Sequence, residues 1–251
     1  MRLLADLHTH TVASGHAFST VGEIASAAAA KGLELVAITD HGPAVPGGAH
    51  LWHFWNSRTI PSVMSGVRVL KGCEANPVVD SDNGLDIPDE VLAALEFVAV
   101  GLHPECGYDG KDRVRNTEAL VRAISHPLVD MITHPGNEED FPVHLDAVIA
   151  AAVEHGVIVE LNNFSFDERS GRHATRDRER EFAQAACDAG AWIAIDSDAH
   201  IHTLVGEVSA AMAVAEEIGV PPERIVNRDA ASVLEFLSAR RARSWPASGS
   251  R

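Results

Sequence analysis

Seven short apolar runs, each followed by a segment with helical character, constrain the fold of this chain more than any other feature. The runs are continuous rather than alternating, as in Leu35-Val36-Ala37-Ile38, which is typical of strands covered on both faces. Strands that alternate with helices predict a parallel α/β sheet, and both an open doubly wound sheet and a closed barrel fit this order. Since no linker divides the chain, we expect one domain over residues 1–240 and a disordered tail over residues 241–251.

Composition excludes several classes of protein. The net charge of −16 argues against binding to nucleic acid or to an anionic membrane. No apolar run is long enough to span a membrane, and the first residues do not have the pattern of a secretion signal. The three cysteines are too few and too widely spaced for a disulfide framework. We therefore expect a cytoplasmic protein. No glycine-rich turn follows the first strand, which disfavours a dinucleotide-binding fold.

Two segments carry expectations about local structure. Residues 44–53 are rich in glycine and proline and predict a loop, with Trp52 and Trp55 at its end. Residues 60–66 predict a short helix before the strand that begins near Arg68.

The segment Asp6-Leu7-His8-Thr9-His10 places two histidines one residue apart near the end of a strand. Residues i and i+2 of a strand point to the same face, so both imidazoles project together. Neutral imidazole is the commonest metal ligand among side chains. Ligand-type residues follow six of the seven strands, where barrel enzymes build their sites. The full candidate set is His8, His10, His16, His41, Glu74, His103, His134, Asp198 and His200.

These nine candidates exceed what one ion can bind, because a zinc ion takes three or four protein ligands. Two or three ions are implied, and three fit better. Imidazole with carboxylate and without thiolate favours zinc, with manganese or iron as alternatives. Such a cationic centre could bind phosphate despite the acidic surface. From spacing alone, Asp196 and Asp198 are both candidate ligands.

Several segments resemble the PHP (polymerase and histidinol phosphatase) superfamily, and within it the YcdX-type phosphatases. The resemblance covers residues 4–237, and it rests on D-L-H-T-H-T-V-A-S-G-H-A-F-S-T, A-I-T-D-H-G-P, W-H-F-W-N, G-C-E-A-N, G-L-H, T-H-P-G-N, E-L-N-N and D-S-D-A-H. It implies a distorted (β/α)7 barrel, similar to a TIM barrel, with a trinuclear metal centre. Its S-D-x-H pattern selects Asp198 over Asp196, which stands where relatives often have glycine.

The resemblance also implies how the ligands divide among three ions. His8 and His10 would bind the first ion with Asp198. His16 and His41 would bind the second with His200. His103 and His134 would bind the third, and Glu74 would bridge the first and third ions.

The expected activity is metal-dependent hydrolysis of a phosphoester, in the first place a phosphomonoester. A metal-activated water would attack phosphorus, so no protein nucleophile is needed. The expected partner is a small phosphorylated substrate, whose identity the sequence does not give, and a small homo-oligomer stays open. Candidate substrate contacts are His50, His53, Arg172 and His202, and the weaker candidates for phosphate are Arg68, Lys71 and Arg169.

Two alternatives stay open. A metal-dependent amidohydrolase also begins with H-x-H, but it normally has a lysine where this chain has His103. A non-catalytic metal-binding PHP module is the other alternative, and the complete ligand set counts against it.

Overall fold

The computed structural model describes residues 1–108, 110–137, 139–170 and 175–244. Its strands are β1 (Ala5–Asp6), β2 (Leu35–Ile38), β3 (Val63–Met64), β4 (Val67–Ala75), β5 (Phe97–Val100), β6 (Met131–Ile132), β7 (Ile158–Asn162) and β8 (Trp192–Asp196). Its α-helices are α1 (Val21–Ala30), α2 (Leu51–Asn56), α3 (Asp89–Leu92), α4 (Arg113–Ile124), α5 (Leu145–His155), α6 (Arg176–Asp188), α7 (Ser209–Ile218) and α8 (Ala230–Ser244).

Seven strands form one parallel sheet in the order β1-β2-β4-β5-β6-β7-β8. The first and last strands meet just beyond their ends, where Thr9 and Ala199 form a parallel bridge. The His10 amide donates to the Ala199 carbonyl at 2.9 Å, and the Leu7 amide donates to Asp196 Oδ1 at 2.7 Å. The sheet is thus nearly closed into a barrel. The prediction of a single seven-stranded α/β barrel is confirmed.

The barrel interior has two halves of different chemistry. Alternate residues of the strands, such as Leu35, Phe97 and Ile158, form one apolar cluster at the end where the strands begin. Helix α8 covers this end, since Val233 and Phe236 belong to the same cluster. Burying this apolar surface stabilises the barrel by about 25 cal/mol per Å². The other half, where the strands end, is polar and holds most of the candidate ligands.

Local expectations fared less well. The predicted helix over residues 60–66 is wrong: β3 pairs with β4 in antiparallel fashion. Ser65 and Gly66 both have positive φ, 52° and 82°, as a two-residue hairpin turn of type I′ requires. The Ser-Gly pair was therefore a turn signal. The predicted loop over residues 44–53 is confirmed as far as His50 and is wrong beyond it. Helix α2 begins at Leu51, and the His50 ring caps it by accepting a hydrogen bond from the Trp52 amide.

The end of the chain is only partly described. Helix α8 extends to Ser244, four residues into the segment predicted as a tail, and residues 245–251 lie outside the described part. Among the described helices, none combines the length and the apolar character that crossing a membrane requires.

Candidate metal centre

Side chains from six strand ends converge at the polar end of the barrel. His8 and His10 follow β1, His41 follows β2, and Glu74 lies near the end of β4. His103, His134, Asp198 and His200 follow β5, β6 and β8. Parallel strands place their carboxyl ends at the same edge of a barrel, which brings these residues together. Four groups of three could each hold an ion, with ligand atoms within 4.8 Å: His8–His10–Asp198, His10–His41–His200, His8–Glu74–His134 and His41–Glu74–His103.

Glu74 lies at the middle of the cluster and is completely buried. Its Oε2 is 2.9 Å from His41 Nδ1 and 3.3 Å from His8 Nε2. Its Oε1 is 3.1 Å from His134 Nε2 and 3.4 Å from His103 Nε2, and it accepts a hydrogen bond from Thr133 Oγ1. Each carboxylate oxygen therefore faces a different pair of imidazoles, as a bridging ligand would.

His8, His10 and Asp198 form the most enclosed group, and none of their side chains is more than 2% exposed. The two Nε2 atoms are 3.0 Å apart. Asp198 Oδ1 is 3.3 Å from His10 Nε2 and 3.5 Å from His8 Nε2.

His16, His41 and His200 lie beside this group, toward solvent. His16 Nε2 is 3.0 Å from His200 Nε2, and the His16 ring stacks on His41 with centroids 5.0 Å apart. His16 is exposed and His200 is partly so, which makes this the open side of the cluster.

The backbone is strained at two candidate ligands. His134 has φ of 30° and Asp198 has φ of 52°, although neither is glycine. Strain of this kind costs about 1–3 kcal/mol and is concentrated at functional sites. Gly101 lets the strand ends approach, because a Cβ there would lie 2.3 Å from Thr133 Oγ1 and 2.9 Å from Glu74 Oε1.

The surroundings shift the pKa of His8 in one direction and the pKa values of His10 and His16 in the other. Burial would lower the pKa of His8, but Glu160, Asp198 and Glu74 outweigh it and raise this pKa well above its ordinary value. Burial, with His41 and His200 nearby, holds the pKa of His10 well below its ordinary value. The same causes lower the pKa of His16 to about 4. Burial opposes ionisation of Glu74, yet His103, His8 and His41 bring its pKa well below the ordinary value.

This donor set fits divalent ions. Ligand atoms 2.0–2.1 Å from a tetrahedral zinc ion are about 3.3 Å apart, and the separations of 3.0–3.5 Å among His8, His10 and Asp198 are close to that. His41 Nδ1 and Glu74 Oε2 are buried and only 2.9 Å apart, yet in the described part of the chain neither makes a hydrogen bond, although such atoms are normally satisfied. A cation would satisfy both atoms.

Further carboxylates and amides surround the cluster, and the sequence did not single out Glu160 or Asn76 among them. Glu160 Oε1 is 2.7 Å from His8 Nδ1, and Asn76 Oδ1 is 2.7 Å from His103 Nδ1. Asp40 accepts hydrogen bonds from Thr11 and Ser14, and Ser14 Oγ is 3.1 Å from His10 Nδ1. The signal for Glu160 was a single charge within the apolar run of β7.

Asp196 lies below the cluster rather than in it. Its Oδ1 accepts hydrogen bonds from the Leu7 amide and from Asn227 Nδ2. Burial, with Asp6 and Glu160 nearby, raises the pKa of Asp196 well above its ordinary value. Between the two aspartates, Asp198 is the one that faces His8 and His10.

Three of the four candidate substrate contacts lie in the described part of the chain. His53 Nε2 is 3.0 Å from Asp40 Oδ2, and His202 Nδ1 is 3.1 Å from Ser19 Oγ. His50 is exposed and caps α2, and Arg172 lies outside the described residues.

The three weaker phosphate candidates are engaged elsewhere. Arg68 and Lys71 both pair with Glu96, at 2.5 and 3.1 Å, in the half of β4 away from the cluster. Arg169 pairs with Asp167. Arg68 and Lys71 therefore lie away from the cluster, because the strand that carries them points its other end toward it.

Comparison with known proteins identifies the family of this chain. A family model described as PHP domain matches residues 6–218. The chain belongs to the PHP domain family. A probable phosphatase of Caldanaerobacter subterraneus subsp. tengcongensis is 42% identical over 243 residues, which cover 97% of this chain and 94% of that protein. A probable phosphatase of Edwardsiella ictaluri is 43% identical over 235 residues, 94% of each chain.

Solved structures share the fold at low identity. A histidinol phosphate phosphatase from Lactococcus lactis subsp. lactis, described as complexed with zinc, L-histidinol and phosphate, matches with a TM-score of 0.62 and 14% identity. The match covers 88% of this chain and 95% of that one. The predicted family and the predicted fold are both confirmed.

Proposed function

We propose that this PHP protein hydrolyses phosphomonoesters at a centre of three divalent ions, zinc in the first place. The proposed ligands are His8, His10, His16, His41, Glu74, His103, His134, Asp198 and His200. Membership of the PHP family and relatives named as probable phosphatases support hydrolysis of a phosphoester.

The observation that carries the proposal is the overlap of the four ligand groups. His8, His10, His41 and Glu74 each belong to two groups. Ions held by groups that share ligands lie only a few ångströms apart, as in the two-metal sites of phosphatases and nucleases. Glu74, with one oxygen toward His8 and His41 and the other toward His103 and His134, supports its role as the bridge.

The burial of the ligands suggests how substrate reaches the centre. His8, His10 and Glu74 form its closed floor, while His16, His103 and His200 are accessible from solvent. The phosphate would approach over the accessible residues His16, His103 and His200. Bound divalent ions would supply an activated water and neutralise charge on the phosphate. The chain itself holds the imidazoles at fixed positions and keeps water from the floor.

The organic part of the substrate would lie toward α2. A cavity of about 680 Å³ there is lined by Trp52, Trp55, His53 and Arg58 among others, and the two tryptophan side chains are 77% and 41% exposed. Pockets of this size bind small organic molecules. His53 lines this cavity and also contacts Asp40, so among the described candidates His50, His53 and His202 it is the best placed.

Elemental analysis together with turnover of p-nitrophenyl phosphate tests the proposal. We expect about three metal ions per chain, loss of turnover on chelation, and recovery when zinc or manganese is returned. One ion per chain would contradict the trinuclear centre. Full metal content without turnover of any phosphoester would contradict the activity.

A further inference from the structure

Glu160 is a buried carboxylate that touches the candidate ligands without joining their groups. It lies on β7, between Ile158 and Asn162 on the interior face of the barrel, and is 1% exposed. In the described part of the chain, Glu160 belongs to none of the four ligand groups. A buried carboxylate is costly unless it is hydrogen-bonded, so its contacts explain why it is there.

The two oxygens of Glu160 contact ligands from two different strands. Oε1 is 2.7 Å from His8 Nδ1. Oε2 accepts hydrogen bonds from the His134 amide at 2.6 Å and from Asn162 Nδ2 at 3.1 Å. The same side-chain nitrogen, Asn162 Nδ2, is also 3.2 Å from Asp198 Oδ2. One carboxylate therefore connects His8, His134 and, through Asn162, Asp198.

The contact with His8 determines which ring nitrogen faces the centre with a lone pair. A carboxylate oxygen only accepts hydrogen bonds, so the proton of a neutral His8 ring lies on Nδ1. That leaves the lone pair on Nε2, the atom 3.3 Å from Glu74 Oε2 and 3.5 Å from Asp198 Oδ1. The opposite tautomer would put a proton where a metal ion would bind.

The contact with His134 opposes backbone strain. At φ of 30°, His134 is in a conformation that L residues rarely adopt. A charge-assisted hydrogen bond from its amide to Glu160 stabilises that conformation and so fixes where the imidazole points.

We propose that Glu160 is a positioning residue of the metal centre. It selects the metal-binding tautomer of His8 and holds His134 and, through Asn162, Asp198 in position. This inference rests on the metal centre of the proposed function. It does not depend on which phosphoester is hydrolysed.

Glu160→Gln tests the proposal because it keeps the size of the side chain and replaces one acceptor oxygen with an NH2 donor. The oxygen of the new amide is required at the Oε2 position, where two donors, the His134 amide and Asn162, converge. Its NH2 group then faces His8 Nδ1 and donates to it, which places the His8 proton on Nε2. Loss of an outer partner of a metal-bound histidine typically lowers metal affinity about 10–100-fold.

The readout is metal affinity, measured by competition with a chromogenic chelator, with circular dichroism as the check of folding. The matched control is Asp130→Asn, which removes a buried carboxylate at the opposite end of β6. We expect about a 10–100-fold loss of affinity for at least one ion in Glu160→Gln and native affinity in Asp130→Asn. Native affinity in Glu160→Gln would overturn the proposal.

A measurement on the wild-type protein covers the case in which Glu160→Gln does not fold. Nitrogen-15 spectra of histidine-labelled, zinc-loaded protein, with His8 assigned from a His8→Asn variant, should show the His8 proton on Nδ1. A proton on Nε2 would overturn the tautomer argument. If wild-type protein binds three ions but hydrolyses no phosphoester, the proposed activity fails while the role of Glu160 is still decided by these two readouts.

Discussion

Strand β6 carries a buried charged site at each end, and the two sites are neutralised differently. At its start, Asp130 lies 3.4 Å from Arg240 Nε and 3.6 Å from Arg241 Nη2. Beyond its end, His134 lies 3.1 Å from Glu74. Both carboxylates are buried, but Asp130 has guanidinium groups as neighbours whereas Glu74 has imidazoles.

This difference shows which of the two buried carboxylates has permanent counterions within the chain. Arginine is always charged, so Asp130 has permanent counterions from α8, and this end of the barrel is a structural closure. Imidazoles near neutral pH carry charge only if they are protonated, or present lone pairs to a metal. The centre around Glu74 therefore favours added positive charge, and its surroundings already raise the pKa of His8.

Of the proposed substitutions, His41→Ala should have the largest effect on turnover, and it acts at the Glu74 end of β6. The variant removes a ligand from two of the four groups and leaves Glu74 Oε2 without its nearest imidazole. We expect phosphoester turnover to fall by more than the roughly 100-fold that loss of an outer partner costs. Folding should be little changed, because the residue lies at a strand end and its amide still donates to Ser14.

Steady-state kinetics and thermal unfolding measure both effects of His41→Ala. Asp130→Asn serves as the control and should keep its turnover, since it lies at the other end. An active His41→Ala protein would remove His41 from the ligand set.

The effect of Asp130→Asn on the free energy of unfolding should depend on pH, which tests the other end of β6. Burial raises the pKa of Asp130 to about 6, although Arg241 and Arg240 oppose this. The folded state then holds a proton that the unfolded state releases, so the contribution of Asp130 to stability falls as pH rises from about 4 to about 6. At 1.36 kcal/mol per pKa unit, this change is about 3 kcal/mol.

The measured quantity is the difference in unfolding free energy between wild type and Asp130→Asn, obtained from urea titrations at several pH values without added metal. This difference should decrease through that window and level off above it. A difference that does not vary with pH would mean that the two arginines compensate fully for burial.

Gly101→Ala should damage the metal end alone. The added methyl group would lie 2.9 Å from both Glu74 Oε1 and His134 Cε1. Overpacking of this kind costs about 1–3 kcal/mol, and displacing Glu74 should lower turnover about tenfold. Gly22→Ala is the control, because its nearest neighbouring atom is Thr20 Oγ1 at 4.0 Å. Equal turnover in both variants would show that Glu74 adapts freely.

The sequence predicted the parts of this molecule that depend on periodicity. Continuous apolar runs gave the seven strands, and His8 and His10 lie together because residues two apart on a strand share a face. Asp198 rather than Asp196 faces the imidazoles, and here the family pattern resolved what spacing alone left open.

What the sequence did not predict depends on contacts between distant strands. Glu160 is near His8 only because closure of the sheet brings β8 beside β1 and so leaves β7 one strand away from β1. The pairing of Arg240 with Asp130 requires α8 to cover the start of the barrel, more than a hundred residues away along the chain. The hairpin at Ser65-Gly66 was a local signal that the apolar pattern concealed.

Cysteine substitutions should have the smallest effect. Cys73 belongs to the core cluster outside the barrel and is fully buried, so it faces away from Glu74. Cys106 Sγ lies 3.5 Å from the Pro104 carbonyl, and burial, with Asp86 and Glu74 nearby, raises its pKa to about 12. A thiol with so high a pKa is not a ready nucleophile or ligand.

We therefore expect turnover of Cys106→Ser and Cys73→Ser to stay within about twofold of wild type, since neither sulfur contacts a candidate ligand in the described part of the chain. Cys73→Ser should lose some stability, because it buries a hydroxyl group among apolar side chains. Cys187→Ser on α6 is the control, with a partly exposed sulfur. Loss of turnover in Cys106→Ser alone would place its sulfur in contact with substrate and would move the boundary of the active site beyond His103.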